Sequence, residues 1–573
     1  MKKFNLLFIA LFITSFSFAQ EIEEPIKKYP SHRLSEGEAQ QVQENAKRFV
    51  PTPPPTGEII NMAEFMPSQG VLITYPLTIP VSLVKDMANV ATVVTLVDNA
   101  SYENSARTAF TNAGVNMNNV EFIREATNSQ WTRDYGPWFV IDGNDQMGIV
   151  DFTYNRNRPL DQAINAKLAT HLGINSFAMP LIHCGGNYMT DSYNVSASTT
   201  LTLTENPSMT QQQIKNLCNE YLGLEDYYFL RDPLADYIQH IDCWGKFLAV
   251  DKILIGQVPA TDVRYADYEA VAQYFESKPT PWGTKYRIYR VFTPGGSTRT
   301  PFTNSLILND HVFVPIGNNT SYNDAAIAVY QEAMPGYTIV PVASPASPNQ
   351  WINTDALHCR THEIADMGML FVRHYPLFDT LEYQEIFTLT ADIRPLSGQP
   401  LVSDSLLVYY KINDEEMWQT SVLTQLPAKG THYAAQLVDL PENAKISYYI
   451  FAKDESQRRE KHPYIGAFDP HVFYTGVKDD DDPDDTTSVR IHYPEFEVVL
   501  YPNPTTGEVR IQNFESQILN FELFDISGKK FNSEFRIQNS EFVTNISHLQ
   551  SGVYFVKITT NSGRSVTKKI IKL

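Results

Sequence analysis

Five short polar segments recur along the middle of the chain, and each offers a side chain that can do chemistry. The five side chains are Asp134, Asn187, His240, Asn304 and Cys359, and neighbouring ones are 53 to 64 positions apart. A thiolate is a strong nucleophile, an imidazole transfers protons, and carboxylates and amides hold a polar substrate. If units of this length closed into a ring, the five segments would converge on one axis and form one site.

Two pairs of polar residues are each spaced two apart, which on a strand places both side chains on one face. His240 and Asp242 would then serve one substrate, although a buried histidine–aspartate pair is more often structural. Arg156 and Arg158 would bind a carboxylate or form a solvated surface pair. Asp134 could equally be half of an ion pair with the arginine that precedes it.

Cys359 has two interpretations besides that of a nucleophile. Free cysteine is among the most buried residue types, so this thiol could be an inert part of the core. His358 and His362 stand beside it and hint at metal ligands, but the set lacks the second spaced pair of a zinc site. We therefore expect neither a metal nor another cofactor.

The elements that would position these residues alternate between strand pairs and helices, which predicts an α/β fold. Strand pairs are predicted at 138–153, 244–257 and 305–316. Apolar residues at three- and four-residue spacing predict amphipathic helices near 162–172, 210–222, 266–277 and 323–333. A strand–helix unit that recurs at a fixed period indicates a repeat architecture even without sequence identity between the units.

Composition excludes several classes of protein. The chain has 573 residues, of which 43% are hydrophobic and 19% charged, so wholesale disorder is excluded. A net charge of −20 argues against binding to duplex nucleic acid or to an anionic membrane. Four cysteines are too few for a disulfide scaffold in a chain of this length.

Shifts in composition divide the chain into six parts. A basic start, a short apolar run and a small-residue cleavage site predict a secretory signal peptide, and no later stretch is long and apolar enough to span a bilayer. The acidic run near residue 480 lacks the glycine turn and spaced ligands of a calcium loop, so it is interpreted as a solvated linker. The predicted parts are a signal peptide (1–19), an N-terminal segment whose role as a pro-segment stays open (20–57), a catalytic α/β region (58–377), an immunoglobulin-like β-sandwich without cysteine (378–476), an acidic linker (477–495) and a small β-sandwich (496–573).

The last part carries three motifs: YPNPTTG at 501–507, FDISGK at 524–529 and GVYFVKI at 552–558. In this order at a C-terminus they resemble the sorting domain of the type IX secretion system. The resemblance implies that the type IX machinery is a partner. It also implies that the protein is secreted or held at the outer-membrane cell surface.

Four segments of the catalytic region resemble another family. They are WTRDY at 131–135, HIDCWGK at 240–246, TNSLIL at 303–308 and DALHCRTHE at 355–363. Together they are similar to the bacterial, Porphyromonas-type peptidylarginine deiminases of the guanidine-modifying superfamily. The resemblance implies a five-bladed pseudo-symmetric α/β propeller, and hydrolysis of an arginine guanidinium to citrulline and ammonia. It also implies independence from calcium, since the chain lacks the calcium-binding domains of the mammalian enzymes.

The resemblance also assigns roles residue by residue. Cys359 would be the nucleophile and His240 the acid/base; Asp134 and Asp242 would bind the guanidinium, and Asn304 would orient the groups. On the substrate side, the residues implied are Arg156 and Arg158, which would bind the α-carboxylate of a C-terminal or free arginine, and Trp131 and Tyr237, which would flank its aliphatic stem. A Gly-Pro pair follows Tyr135, as in agmatine deiminases, so the resemblance does not fix the backbone conformation just after Asp134.

Three rival functions remain open. An agmatine or free-arginine deiminase would share the mechanism but need no arginine pair for agmatine, which has no carboxylate. A thiol peptidase would share Cys359 and His240 but would not need two guanidinium-binding aspartates. A non-enzymatic surface adhesin would account for the sandwich and the sorting domain alone.

Overall fold

The computed structural model describes most of the chain between the two termini. The described residues are 27, 29–35, 37–426, 430–476, 498–501, 503–513, 518–525, 529–531, 535–538, 541–560 and 565–573. The predicted signal peptide and the acidic linker lie outside the described residues.

Helices and strands alternate through the region that carries the polar segments. The α-helices are α1 (Glu38–Arg48), α2 (Val81–Met87), α3 (Ala100–Asn112), α4 (Thr132–Tyr135), α5 (Pro159–Gln162), α6 (Ile164–Leu172), α7 (Leu201–Glu205), α8 (Gln211–Leu222), α9 (Tyr265–Glu276) and α10 (Thr320–Ala333). The strands of this region are β1 (Ile60–Asn61), β2 (Ser68–Thr74), β3 (Thr92–Leu96), β4 (Val120–Ile123), β5 (Trp138–Ile141), β6 (Met147–Tyr154), β7 (Asn175–His183), β8 (Met189–Thr190), β9 (Val195–Thr199), β10 (Asp226–Leu230), β11 (Gly245–Ala249), β12 (Lys252–Gln257), β13 (Arg287–Phe292), β14 (Leu306–Leu308), β15 (His311–Pro315), β16 (Thr338–Val342) and β17 (His362–Ala365). Short 3₁₀ helices lie at Met117–Asn119, Gly185–Asn187, Ile241–Cys243 and His358–Arg360.

Between residues 60 and 365 the strands form five sheets with one common pattern. Each sheet contains an antiparallel pair followed by one parallel strand, or by two in the last sheet, and one or two helices connect neighbouring parallel strands. The sheets are β1-β5-β6-β7, β8-β9-β10, β11-β12-β13, β14-β15-β16 and β17-β2-β3-β4. In the last sheet β17, near the end of the region, pairs with β2, near its start, so His362 lies opposite Leu72. The repeat therefore closes on itself through its two ends.

Local sequence explains why these elements form where they do. Helix α8 begins at a capping box in which Thr210 and Gln213 satisfy each other's backbone N–H groups, and it ends at Gly223 in the left-handed conformation. Its buried face includes Ile214 and Cys218. The predicted helices are confirmed as α6, α8, α9 and α10, and the predicted strand pairs as β5/β6, β11/β12 and β14/β15.

Residues 370 to 475 form a β-sandwich. Its strands are β18 (Leu370–Arg373), β19 (Thr380–Leu381), β20 (Ile386–Pro395), β21 (Leu407–Ile412), β22 (Gln419–Val422), β23 (Thr424–Gln425), β24 (His432–Val438), β25 (Lys445–Lys453), β26 (Arg459–His462) and β27 (His471–Thr475), with 3₁₀ helices at Ser403–Ser405 and Gly466–Phe468. One sheet has the order β18-β20-β24-β23, and the other has β19-β27-β25-β21-β22 with β26 beside β25. Alternate residues of β25 are buried, which is the pattern of a strand with one face on a core.

The sandwich begins earlier in the chain than the predicted boundary at residue 378. Strand β18 pairs antiparallel with β20, so Leu370 to Arg373 belong to a sandwich sheet although the sequence grouped them with the catalytic region. The reason is that β17 and β18 are both four-residue strands that follow one another closely in the chain. Only the pairing partner separates them.

The described C-terminal residues form two further four-stranded sheets. The strands are β28 (Val498–Tyr501), β29 (Glu508–Asn513), β30 (Ile518–Asp525), β31 (Lys530–Phe531), β32 (Phe535–Gln538), β33 (Glu541–Asn545), β34 (Gly552–Thr560) and β35 (Ser565–Lys572). Their orders are β28-β29-β33-β32 and β31-β30-β34-β35. Val509, Leu523 and Val556 are fully buried in a core of their own.

Candidate active site

The five polar segments occupy equivalent positions in the five sheets. Each stands immediately before the first strand of an antiparallel pair: α4 before β5, three 3₁₀ helices before β8, β11 and β17, and the turn at 302–304 before β14. Helix α4 contacts the 3₁₀ helices at Gly185–Asn187 and His358–Arg360, and the former contacts Ile241–Cys243. The convergence that the spacing predicted is therefore present in the structure.

The two polar pairs converge on this site, but not for the reason that the sequence suggested. His240 precedes a 3₁₀ helix instead of lying on a strand, and Gln239 before it has a left-handed φ of 52° that ends any extended run. Arg156 and Arg158 follow the end of β6, and Pro159 then starts α5. The same-face argument for strands was wrong at both pairs, because polar site residues lie where the chain leaves the sheet.

Asn304 fixes Cys359 at two points. Its Nδ2 donates to Cys359 Sγ at 3.3 Å, and its Oδ1 accepts from the Cys359 backbone N–H at 3.3 Å. The same Nδ2 lies 3.1 Å from Asp242 Oδ2, and Cys359 Sγ lies 3.8 Å from that oxygen. Both Asn304 and Cys359 are buried, so one amide joins the thiol and the carboxylate in a single rigid group.

Asp242 is held from behind by a buried chain of charged groups. His358 Nδ1 lies 2.7 Å from Asp242 Oδ2, and its Nε2 lies 2.9 Å from Glu64 Oε2. Lys246 Nζ lies 2.6 Å from the same Glu64 oxygen. Burial alone would raise the pKa of Asp242, but the hydrogen bond and charge of His358 outweigh it and lower the pKa. Asp242 therefore stays ionised in the interior.

Asp134 and His240 lie close to each other and to Cys184. Asp134 Oδ1 lies 3.6 Å from His240 Nδ1, and Cys184 Sγ lies 3.9 Å from the same nitrogen. A Cβ placed on Gly186 would lie 2.7 Å from Asp134 Oδ1 and 2.8 Å from His240 Nδ1. Position 186 must therefore be glycine for these two side chains to adopt this arrangement.

The charges of the site are unbalanced in a way that favours a cation. Burial, and then the negative charge of Asp242, raise the pKa of Asp134 to about 7. Burial lowers the pKa of His240 to about 3 although Asp242 opposes the shift, so the ring is neutral at neutral pH. Asp134 Oδ1 and His240 Nε2 are buried without a hydrogen-bond partner among the described residues. A buried polar atom without a partner requires an explanation, such as a catalytic role or a bound water or ion.

The thiol of Cys359 is protonated in this arrangement. A hydrogen bond with Cys243 lowers its pKa, but burial and the negative charges of Asp242, Asp355 and Asp134 prevail and raise the pKa to about 11. A cation bound between the carboxylates would cancel much of that negative potential. The thiol would then ionise more easily when a cationic substrate is present.

The residues assigned to the substrate side lie together around the loop after β6. Arg158 Nη1 donates to Tyr154 Oη at 3.0 Å, and its guanidinium carbon lies 4.8 Å from the centroid of the Trp131 ring. Arg156 is buried and donates from Nη1 to the Asn155 carbonyl at 2.9 Å. Tyr237 is half-buried, and its hydroxyl has no hydrogen-bond partner among the described residues.

The ion-pair interpretation of Asp134 is excluded by the position of Arg133. Both terminal nitrogens of Arg133 bind the carboxylate of Glu363, at 3.2 and 2.6 Å. Arg133 is buried and its charge is used in that pair. Asp134 is thus left to face the centre of the site.

One group of side chains in the site could hold a metal ion. Ligand atoms of Asp134, Cys184 and His240 all lie within 4.8 Å of one another, and all three residues are buried. A carboxylate, a thiol and an imidazole form a donor set that suits zinc. The two histidines that the sequence suggested as metal ligands, His358 and His362, have other partners. His358 binds two carboxylates, and His362 Nδ1 lies 2.7 Å from the Glu363 carbonyl.

Several residues of the site were not assigned a role from the sequence. Glu64 lies in an unremarkable segment and carries no signal. Lys246 and His358 stand inside motifs already singled out, so their motifs were a signal although their roles were not deduced. Cys184 and Gly186 lie in the second polar segment, and only their distances to Asp134 and His240 reveal their importance.

Comparison with known families agrees with this geometry. Residues 62–364, a little over half of the chain, match the family described as Porphyromonas-type peptidyl-arginine deiminase. This is a family of deiminases of guanidino groups, which are enzymes that act on C–N bonds. The chain belongs to the Porphyromonas-type peptidyl-arginine deiminase family.

More distant relatives share the region. The chain is 26% identical over 269 residues to a Legionella pneumophila protein that carries the provisional name agmatine deiminase, which covers 44% of this chain and 75% of that protein. A similarly named protein of Shewanella baltica is 25% identical over 284 residues, 43% of this chain and 76% of that one. Among solved structures, the agmatine deiminase of Enterococcus faecalis aligns at 18% identity with a TM-score of 0.48, covering 55% of this chain and 99% of that one.

The C-terminal region matches a second family. Residues 499–573 match the secretion system C-terminal sorting domain. This domain indicates a protein that is secreted or displayed at the cell surface through the type IX secretion machinery. Among the described residues, none of the helices combines the length and the apolar character needed to cross a membrane.

Proposed function

We propose that this protein is a secreted protein-arginine deiminase that converts arginine to citrulline and ammonia. Its preferred substrates would be peptides with a C-terminal arginine, and free arginine. The observation that carries the proposal is that two buried carboxylates meet beside Cys359: a Cβ placed on Gly186 would lie 2.7 Å from Asp134 Oδ1 and 3.4 Å from Asp242 Oδ2, and Cys359 Sγ lies 3.8 Å from that Asp242 oxygen. A guanidinium is a planar cation whose N–H fork fits carboxylates.

The first chemical step follows from these positions. The guanidinium binds Asp134 and Asp242 and presents its central carbon to Cys359, whose proton passes to the neutral imidazole of His240. The thiolate attacks the carbon and forms a tetrahedral adduct. His240 then returns the proton to one amino group, which leaves as ammonia, and a cationic amidino-cysteine remains.

The second step releases citrulline. Water attacks the amidino carbon and gives a proton to His240, and the carbon–sulfur bond of Cys359 breaks. His240 returns that proton to the thiolate. The proton left from the water oxygen converts ammonia to ammonium, so the net reaction consumes one guanidinium and one water. Asn304 keeps the sulfur beside Asp242 throughout.

The substrate preference depends on Arg156 and Arg158. Both side chains are buried. Arg158 lies over the Trp131 ring, and the charge of Arg156 acts on Asp134. In these positions they would add charge-assisted hydrogen bonds to a substrate carboxylate. Agmatine lacks that carboxylate and would gain nothing from them. We further infer that the five closed units are the blades of a five-bladed propeller, that the second body is an immunoglobulin-like module, and that calcium is not required.

Mass spectrometry of the intact chain tests the proposal. The chain is incubated, with a chelator present, with a peptide ending in arginine, the same peptide with arginine internal, and agmatine. We expect ammonia release and the mass change of an imino group replaced by oxygen on the first peptide. Turnover of agmatine alone would keep the mechanism and overturn the substrate, while peptide cleavage would indicate a thiol peptidase.

A variant of Arg158 sharpens the test. Arg158→Gln should raise KM for the C-terminal arginine peptide by about tenfold or more, since a charged hydrogen bond contributes about 1.5–3 kcal/mol. KM for agmatine should change by less than about twofold. Equal effects on both substrates would show that Arg158 does not bind the carboxylate. No turnover of any guanidino compound would leave the adhesin as the better interpretation.

A further inference from the structure

A segment near the N-terminus lies against the side chains assigned to the substrate. We call residue 27 and residues 29–35 the N-terminal strap. Lys27 anchors one end, since its Nζ lies 2.7 Å from Asp98 Oδ1 and its backbone N–H donates to Tyr102 Oη at 3.2 Å. The Tyr29 hydroxyl donates to the Pro76 carbonyl at 3.2 Å. The strap is therefore docked at its start before it reaches the site.

The strap occupies the acceptor position of Arg158. The carbonyl oxygen of Ser31 accepts a hydrogen bond from Arg158 Nη2 at 2.9 Å. Arg158 is the side chain proposed to hold the substrate carboxylate, and a backbone carbonyl oxygen, like a carboxylate oxygen, accepts a hydrogen bond from a guanidinium N–H. A substrate carboxylate that used the same N–H of Arg158 would have to displace the Ser31 carbonyl.

His32 fills the space between the two aromatic walls. Its ring stacks on Tyr237 with centroids 5.3 Å apart and an angle of 12°, and it meets Trp131 edge-on at 5.9 Å and 74°. The guanidinium carbon of Arg33 lies 4.4 Å from the Tyr237 ring centroid. These aromatic rings are the ones assigned to the stem of the substrate arginine. The strap thus covers both the carboxylate position and the stem position.

We propose that the surface formed by Trp131, Arg158 and Tyr237 binds residues 31–33 of this chain as an intramolecular substrate mimic. The chain with the strap in place is latent, and it gains affinity for substrate when the strap is cut away. This inference rests on the proposed function, because it uses the same residues as the substrate site. An attached competitor acts at high effective concentration, so it raises the apparent KM without changing kcat.

The strap can be removed without removing α1. Leu34 is exposed and follows the mimic residues, while Glu38 at the start of α1 accepts from the Asn157 backbone N–H at 3.1 Å. Helix α1 therefore supports the loop that carries Arg158. A cut after Leu34 separates the inhibitor from this support.

The test uses the full chain with the recognition sequence of a site-specific protease inserted after Leu34. After cutting and dilution, we expect KM for the C-terminal arginine peptide to fall by about tenfold or more with kcat unchanged. A synthetic peptide of residues 27–35 should then inhibit competitively, and a peptide with His32→Ala should inhibit much less. The chain without the insertion, treated with the same protease, is the control for the protease itself.

Single substitutions in the uncut chain provide a matched comparison. His32→Ala should lower KM, whereas Leu34→Ala, at an exposed neighbour, should not. Equal KM before and after cutting, with active enzyme, would overturn the strap inference and leave the deiminase intact. If no guanidino substrate is turned over, the proposed function fails. In that case a labelled peptide of residues 27–35 still tests the contact. Binding to the cut chain that is lost in Arg158→Gln would support it, and no binding would overturn it.

Discussion

Two buried regions of this protein contain histidines whose pKa is lowered, and they differ in whether the ring nitrogens have hydrogen-bond partners. Where the β-sandwich meets the catalytic region, His374, His462 and His471 form a histidine cluster, with ring centroids 5.0 to 5.6 Å apart. The candidate active site contains His240 beside Asp134. Burial lowers the pKa of all four rings.

The hydrogen bonds separate the two groups. His462 uses both ring nitrogens, at 2.7 Å to Tyr193 Oη and 2.9 Å to His471 Nε2, and His374 does the same with Tyr448 and Thr390. His240 Nε2 has no hydrogen-bond partner among the described residues. Satisfied buried histidines stabilise a fold, while an unsatisfied one beside a carboxylate marks a reactive site. Burial and a shifted pKa alone would not have distinguished them.

Loss of the nucleophile is expected to have the largest effect on turnover. Cys359→Ala should reduce turnover by about 10⁴-fold or more, because Cys359 is the thiol proposed to form the covalent intermediate. Ammonia release under single-turnover conditions measures it. Cys218, whose thiol is buried in an apolar cluster, is the matched control, and Cys218→Ala should keep turnover within about twofold. Equal losses in both variants would remove the distinction between reactive and structural thiols.

A methyl group at position 186 is expected to have the next largest effect. Gly186→Ala places Cβ within 2.8 Å of Asp134 Oδ1 and His240 Nδ1, so it should lower kcat/KM by about 100-fold by separating them from the substrate. In the control Gly245→Ala the nearest atoms lie 3.8 Å from the added Cβ, and activity should be retained. Thermal unfolding of both variants shows whether the fold persists. Retained activity in Gly186→Ala would mean that the pair is not used in this geometry.

The unbalanced charge of the site predicts a pH dependence of binding. The pKa of Asp134 is raised to about 7, so the carboxylate is protonated below that pH and ionised above it. The affinity of Cys359→Ala for arginine should therefore weaken by about tenfold per pH unit below 7 and level off above it. Titration calorimetry from pH 5 to 9 measures it. A constant affinity across this range would show that Asp134 does not bind the guanidinium.

The smallest effect on activity is expected at the histidine cluster. His374→Ala should leave kcat/KM within about twofold and cost about 1–3 kcal/mol of stability at pH 7.5, since Tyr448 loses a buried partner. Urea unfolding measures the cost, and His171→Ala, at a partly exposed ion pair, should change stability by less than about 0.5 kcal/mol. A large loss of activity in His374→Ala would contradict a purely structural role.

The same variant has a pH signature. Burial lowers the folded-state pKa of His374 to about 4 from an ordinary value of 6.5. The unfolded chain therefore binds more protons between these values, and the native state loses stability as pH falls from about 6.5 toward 4. The cost of His374→Ala should shrink over that range. An unchanged cost would show that His374 does not contribute to acid sensitivity.

Much of the architecture followed from pattern alone. The positions of α6, α8, α9 and α10 and of three strand pairs were predicted because amphipathic spacing is a local property of the chain. The even spacing of polar segments predicted their convergence because equal units place equivalent residues at equivalent points. By contrast, the strand argument for His240 failed because a single left-handed residue, Gln239, redirects the backbone.

The sequence by itself determined which chemistry this protein carries. A thiol, a histidine, an aspartate and two amides stand at one phase of a repeat, and a sorting domain matches residues 499–573. The tertiary structure alone decided the electrostatics. The ionised state of Asp242, the raised pKa of Asp134 and the position of His32 between Trp131 and Tyr237 depend on partners up to 294 residues apart, such as Glu64 and His358. Burial and charge act through space, so no local pattern records them.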